Sequence, residues 1–150
     1  MIQKYRKSNS NQANSSTATL RIGGDDLQPD KITEFLGCKP TKSQTKGQIF
    51  SSKKSGKERA AKTGMWRFSV ADATPANLDA QIVEIFQQLP SDMTKWEQLS
   101  SRYDIDLFCG LFLNKTNDVI LIAPEPMKIL SSRGVTLTLD MYASKPDDVE

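Results

Sequence analysis

The sequence predicts an α+β domain, a mixed and largely antiparallel sheet with its helices on one face. Its elements follow the β-α-β-β-α-β order of a ferredoxin-like unit, with a further β-α-β added at the end. Three observations carry the prediction. Stretches with period-two alternation are separated by stretches with helical spacing. Each alternating stretch has one apolar and one polar face, so a single helix layer suffices to close a core. Finally, 150 residues with 37% hydrophobic content suit one compact core. Two similar β-α-β halves about a pseudo-twofold axis are the alternative arrangement of the same elements.

Residues 1–16 are Ser, Asn, Gln, Lys and Arg with almost nothing to bury, so they are expected to form a loose tail preceding a folded domain over 17–143. Ala18, Leu20 and Ile22 alternate with Thr17, Thr19 and Arg21 as a first strand, which runs into a turn at Gly23-Gly24-Asp25-Asp26. This glycine pair lacks the remaining residues of a dinucleotide fingerprint or a phosphate loop, so it is read as a plain turn. Pro29 suits a first helical position, Ile32, Phe35 and Leu36 share a face, and Gly37 fits just past the end.

From Lys39 to Arg67 there are nine basic residues and one acid, Glu58. Only Gln48-Ile49-Phe50 suggests a strand there, and Phe50 and Trp66 alone could stack on bases. A solvated loop is therefore preferred to a nucleic-acid surface. Met65 to Ala71 resumes the alternation. Thr74-Pro75 is read as a helix start, with Leu78, Ile82, Ile85, Phe86 and Leu89 at helical spacing until Pro90. Ser91 or Asp92 can cap a second helix presenting Met93, Trp96 and Leu99 to the core.

Asp104 to Leu113 is the central strand. Ile105, Leu107, Cys109, Leu111 and Leu113 make an apolar face. The opposite face carries Asp104, Asp106, Phe108, Gly110 and Phe112, where the glycine allows a close approach to the backbone. Residues 114–118 are then expected as a hairpin connection and Val119 to Ile122 as a buried strand. A helix beginning at Pro124 and stopping at Gly134 follows, and Val135 to Tyr142 closes the sheet with Val135, Leu137, Leu139 and Met141 inward. Residues 144–150 read as a polar tail.

The chemistry is bounded mainly by exclusion. The chain contains no histidine, so neither a Ser-His or Cys-His dyad nor a histidine-bearing zinc site can be built within it. Cys38 and Cys109 sit in unrelated contexts and are expected as reduced thiols. No apolar run approaches the length of a membrane span, and the start resembles no secretory leader, so a cytoplasmic location without membrane association is expected. No cofactor motif is present. Net charge is only +2, yet residues 1–67 carry 14 basic and 5 acidic side chains while 68–150 carry 6 and 13. Such polarity suits either an acidic partner or two halves that complement each other.

The polar strand faces, overlaid, supply the candidate site. If helices cover the apolar side, then Arg21, Arg67, Asp106, Phe108, Phe112, Asp140 and Tyr142 share the opposite surface. That surface suits a non-catalytic binding module for a protein or small ligand, in preference to nucleic acid. The competing readings are cross-strand ion pairs on a wet sheet face and a carboxylate metal site or enzyme at Asp104, Asp106 and Asp140. Against the latter, Asp104 and Asp106 lie about 6.6–6.8 Å apart along a strand, and Arg21 and Arg67 would repel a cation. Cys109 faces the core with no base to activate it.

Four stretches taken together, TLRIGGDDLQPDKITEFLGCKPT, Gly64-Met65-Trp66, DIDLFCGLF and VTLTLDMY, resemble the domain-of-unknown-function 4279 family across residues 17–143. That family is mainly bacterial and archaeal and has no assigned activity, so the resemblance implies a stand-alone domain and no particular reaction. The matching positions are Gly24, Leu27, Pro29, Leu36, Gly37, Pro40, Thr41, Gly47, Trp66, Asp106, Phe108, Gly110, Asp140 and Tyr142. None brings a known role. The chain departs from the pattern in the lysine-rich stretch around 51–62 and in NKTNDV.

Overall fold

A computed structural model describes residues 13–143. It contains β1 (Ser15–Gly24), α1 (Pro29–Leu36), β2 (Lys42–Gln44), β3 (Ile49–Ser51), β4 (Glu58–Ala60), β5 (Gly64–Ser69), α2 (Leu78–Gln87), α3 (Met93–Arg102), β6 (Asp104–Phe112), α4 (Pro124–Ser132) and β7 (Thr136–Tyr142). Five strands form one sheet in the order β2-β5-β1-β6-β7, and β3 and β4 make a separate two-stranded hairpin. All pairs in the main sheet are antiparallel except β6 with β7. The expected α+β class with a mixed, largely antiparallel sheet is therefore what forms. Its first four strands, β2-β5-β1-β6, reproduce the interleaved ferredoxin-like order, because each β-α-β crossover skips one strand.

The apolar strand faces pack under the helices. Leu20, Ile22, Trp66, Leu107, Cys109 and Leu111 meet Ile32, Leu36, Leu78, Ile82, Ile85, Trp96 and Leu99 in one core. Both tryptophans are fully buried, and each indole N–H finds an acceptor: Trp66 donates to Thr33 Oγ1 at 3.1 Å and Trp96 to the Pro90 carbonyl at 2.7 Å. A buried indole without a partner would lose about 1–3 kcal/mol.

The local signals act largely as expected. Pro29 and Pro124 open their helices, Gly37 ends α1 with φ 67°, and the Asp92 carboxylate accepts from Thr94 N at 2.9 Å to cap α3. Gly64 sits so close to the β1-α1 connection that an added Cβ would come within 2.7 Å of the Gly24 carbonyl and 2.8 Å of the Leu27 carbonyl.

The structure corrects several expectations. The folded part does not begin at 17: Ala13 is fully buried, β1 starts at Ser15, and the buried Ser16 hydroxyl donates to Gln81 Oε1 at 2.6 Å while accepting from Asn77 N at 3.0 Å. Gln81 Nε2 donates in turn to the Ser16 and Ala71 carbonyls. Composition hid this because Asn14-Ser15-Ser16 looks like tail, while the fold supplies its partners: Asn14 N donates to the Phe112 carbonyl, Ser16 N to the Ala73 carbonyl, and the Ser16 hydroxyl meets Asn77 and Gln81. The remaining tail residues, 1–12 and 144–150, lie outside the described residues. Second, α2 starts at Leu78 and not at Pro75, because Asn77 Oδ1 accepts from Ala80 N at 3.1 Å and caps it there; Thr74–Pro75 is a cis peptide in the preceding bend.

Third, Val119–Ile122 is not a buried strand. Val119 is 48% exposed, while Ile120 and Ile122 only lean on the core. Both edges of β6 are already taken by β1 and β7, so a hairpin partner has nowhere to pair, and the added unit is a single β6-α4-β7 crossover. Fourth, the inward face of β7 is covered only at its start: Val135 just before it is buried, but Leu139 and Met141 are 40% and 58% exposed. Met93 on α3, expected in the core, is also exposed. Fifth, the basic segment is an ordered ribbon and not a plain loop, although every residue from 51 to 60 is exposed.

Candidate functional site

The four helices occupy the apolar side of the main sheet, so among the described residues no helix covers the polar side. Strand register aligns these side chains in rows. One row crosses all five strands and reads Lys42, Arg67, Arg21, Asp106, Thr136; the next reads Ser69, Thr19, Phe108, Thr138. A third joins Thr17, Gly110 and Asp140, and a fourth Ser15, Phe112 and Tyr142.

The centre of the face is a closed polar network. Arg21 donates to both oxygens of Asp106, Nε to Oδ1 at 2.7 Å and Nη2 to Oδ2 at 2.5 Å, and Thr138 Oγ1 adds a donation to Oδ2 at 2.8 Å. This bidentate pair is about two-thirds or more shielded, with side-chain exposure of 31% and 20%, and it holds the Arg21 guanidinium above its ordinary pKa. The Arg21 guanidinium also lies 4.3 Å from the centre of the Phe108 ring, which accounts for Phe108 being half-buried where exposure was expected. Beside it, Thr19 and Ser69 share a hydroxyl hydrogen bond of 2.8 Å. The close approach expected at Gly110 is made by Thr17, whose Oγ1 accepts from Gly110 N at 3.0 Å.

Two features at opposite corners are not closed. At one corner Phe112 and Tyr142 stack with centroids 4.9 Å apart and planes 8° from parallel, and they remain 38% and 49% exposed. The Tyr142 hydroxyl donates to Asp140 Oδ2 at 2.7 Å, and this bond raises its pKa. At the other corner, Lys42 and Arg67 are cross-strand neighbours, and Arg67 directly opposes Arg21. Like charges directly opposite one another cost energy. Arg21 is compensated by Asp106, whereas among the described residues no carboxylate forms an ion pair with Arg67 or Lys42.

The sequence-derived residues thus divide. Arg21, Asp106 and Phe108 form one unit, Phe112, Asp140 and Tyr142 another, and Arg67 stands with Lys42, which sequence reasoning missed because the three-residue β2 carries no readable alternation. The carboxylates do not gather: Asp106 is saturated by Arg21 and Thr138, Asp140 is engaged by Tyr142, and Asp104 is exposed at the far end of β6. No cluster of three potential metal ligands occurs among the described residues. Cys109 is fully buried, and desolvation, with the Asp106 charge second, pushes its thiol up to about 12, far from a nucleophile. A groove of about 250 Å3 between α1 and α3, edged by the exposed Asp26–Arg102 ion pair at 3.0 Å, is open to solvent. It falls below the roughly 300–1,000 Å3 of small-molecule sites.

The family model for the domain of unknown function DUF4279 matches residues 13–144. The chain belongs to the DUF4279 family. The match begins at Ala13, which is buried, and so includes the residues before 17 that the corrected boundary adds to the domain. No curated protein and no solved structure matches the chain. Within this DUF4279 domain, most of the positions carried by the sequence resemblance serve the scaffold: Leu27, Leu36 and Trp66 are buried, Gly37 and Gly47 have positive φ, and Thr41 Oγ1 accepts from Ser69 N at 2.9 Å. Asp106, Phe108, Gly110, Asp140 and Tyr142 instead line the open face. No helix among the described residues is long and apolar enough to cross a membrane.

Proposed function

We propose that this DUF4279 domain is a non-catalytic binding module whose open sheet face receives a protein partner. The observation that carries the reading is the uncompensated pair Lys42 and Arg67 at the end of a cross-strand row in which Arg21 already has its carboxylate. A partner carboxylate is the group that relieves this crowding. The exposed Phe112–Tyr142 stack supplies an aromatic contact at the far corner; Tyr is favoured at such surfaces because one end is apolar and the other polar.

Size decides between a protein and a small ligand. Arg67 aligns with Asp106 through Arg21, and Phe112 lies six residues farther along β6, which is about 20 Å at 3.3–3.4 Å per residue. A small molecule cannot span that distance on a flat surface, whereas a protein interface of about 800 Å2 per partner does so routinely. The saturated Arg21–Asp106–Thr138 centre serves as a rigid floor between the two corners.

The test is site-specific photo-cross-linking in lysate of the source cells. A cross-linker replacing Tyr142 captures a discrete protein, and the same probe replacing Met93 on the helix side does not. Adding Arg67→Glu to the Tyr142 probe reduces capture at least several-fold. Equal capture from both faces, or capture indifferent to Arg67→Glu, rejects the reading.

A further inference from the structure

The two edges of the main sheet are built differently. β2 has three residues, includes Lys42 and follows Lys39 and Pro40, features that protect an edge from pairing with another strand. β7 has seven residues, Thr136-Leu137-Thr138-Leu139-Asp140-Met141-Tyr142, with no Lys, Arg, Pro or Gly and no bulge in its register with β6. Among the described residues nothing pairs with its outer edge. Its side chains on the helix side, Leu139 and Met141, are left exposed.

The direction of its free backbone groups is fixed by one bond. The Tyr142 carbonyl accepts from Leu113 N at 3.0 Å and so points toward β6. Backbone polar groups alternate along a strand, so Leu137, Leu139 and Met141 aim their N–H and C=O groups at the open edge. We infer that this edge pairs with β7 of a second copy, antiparallel about a two-fold axis through Leu139, joining two five-stranded sheets into one.

Three arguments select that occupant and register. With Leu139 opposite Leu139 and Leu137 opposite Met141, all three outward-pointing residues fall in doubly hydrogen-bonded pairs, so every free N–H and C=O of the strand is satisfied; a shift by two residues leaves one residue of each copy unpaired. A two-fold axis normal to the sheet also keeps the helix layers on one side and continues the Leu-Leu-Met row into its own mirror sequence, burying the exposed Leu139 and Met141. On the other face it puts Asp140 opposite Thr138 and avoids the repulsion of two carboxylates directly opposed. The edge carries a single charge and has no basic or acidic stripe to recruit an unlike partner. An isologous contact of this kind closes on itself and does not propagate into a fibre.

Sedimentation velocity over a wide concentration range tests the inference on the full chain. The expected result is a species of twice the chain mass, which Leu139→Lys converts to monomer without altering the far-ultraviolet spectrum and with the melting temperature that the unsubstituted chain shows when diluted to monomer. Independently, Leu139→Cys cross-links to itself under mild oxidation, since directly paired Cα atoms lie about 5.5 Å apart, while Met93→Cys does not. A monomer at all concentrations overturns the inference, as does a dimer that withstands Leu139→Lys. If Leu139→Lys fails to fold, the cross-link decides: its formation supports the register and its absence rejects it.

Discussion

At the level of single residues, the strongest determinant on the open face is Asp106, which accepts three hydrogen bonds, two of them from Arg21. Hydrogen bonds to charged groups contribute about 1.5–3 kcal/mol where they are shielded, and partial exposure lowers that figure. Asp106→Asn is therefore expected to cost about 1–2 kcal/mol in urea unfolding with little change in the slope. A loss near zero would mean that the pair is solvated and the floor of the face is soft. Cys109 gives a prediction in pH. Its folded pKa of about 12 lies above its ordinary value of 9.0, so above pH 9 the unfolded chain releases a proton that the native state retains. Stability contributed by the buried thiol is complete below pH 9 and declines above it by about 1.4 kcal/mol per pH unit. Cys109→Ala should flatten that decline in denaturation curves taken between pH 9 and 10.5; an unchanged decline would assign it to other groups.

Elements differ in how far the sequence disclosed them. β1, β5 and β6 were legible because each alternates for six residues or more with one face wholly apolar, and α1 and α4 because Pro and Gly mark their ends. What stayed hidden has a physical reason in each case. β2 and β4 are too short to show a period, and Ser16 looks like tail until Gln81 is brought to it by the fold. Val119–Ile122 has strand composition, but both edges of β6, its expected hairpin partner, are taken by β1 and β7. Of the site, the shared face of Arg21, Asp106, Phe108 and Tyr142 followed from alternation alone. The choice of Arg21 over Arg67 as the partner of Asp106 did not, since it depends on β1 and not β5 lying beside β6. The β3–β4 hairpin was misread as a loop, and its behaviour follows from its surface. Six Lys or Arg residues between 46 and 62 face one Glu58, and its only aromatic ring, Phe50, is held at 4.8 Å by Arg59. With no free ring for stacking, duplex or single-stranded nucleic acid should bind no tighter than about 1 µM at physiological salt. Tighter binding by fluorescence anisotropy, weakening steeply with salt, would make the hairpin a nucleic-acid arm.

For the whole molecule, the charge asymmetry between the first 67 residues and the rest is answered only in part among the described residues. Arg21 pairs with Asp106, and Arg102 pairs with Asp26, so each half contributes a cation to the other; Lys42, Arg67 and most of the hairpin remain available to an acidic surface. The same charge arrangement bears on the competing carboxylate site, since a cation at Asp106 would have to displace Arg21 and meet Arg67 close by. Global stability reports on that competition. A metal bound only by the native state at 100 times its dissociation constant adds about 2.7 kcal/mol, which for a chain of 150 residues raises the melting temperature by roughly 5–10 °C. Titration with calcium, magnesium or manganese, each with and without chelator, is expected to leave the melting temperature unchanged, because both Asp106 oxygens are already occupied and Asp104 and Asp140 do not converge on them. A metal-dependent rise of that size, lost in both Asp106→Asn and Asp140→Asn, would require Arg21 to swing away from Asp106 and would replace the ion-paired floor with a metal centre.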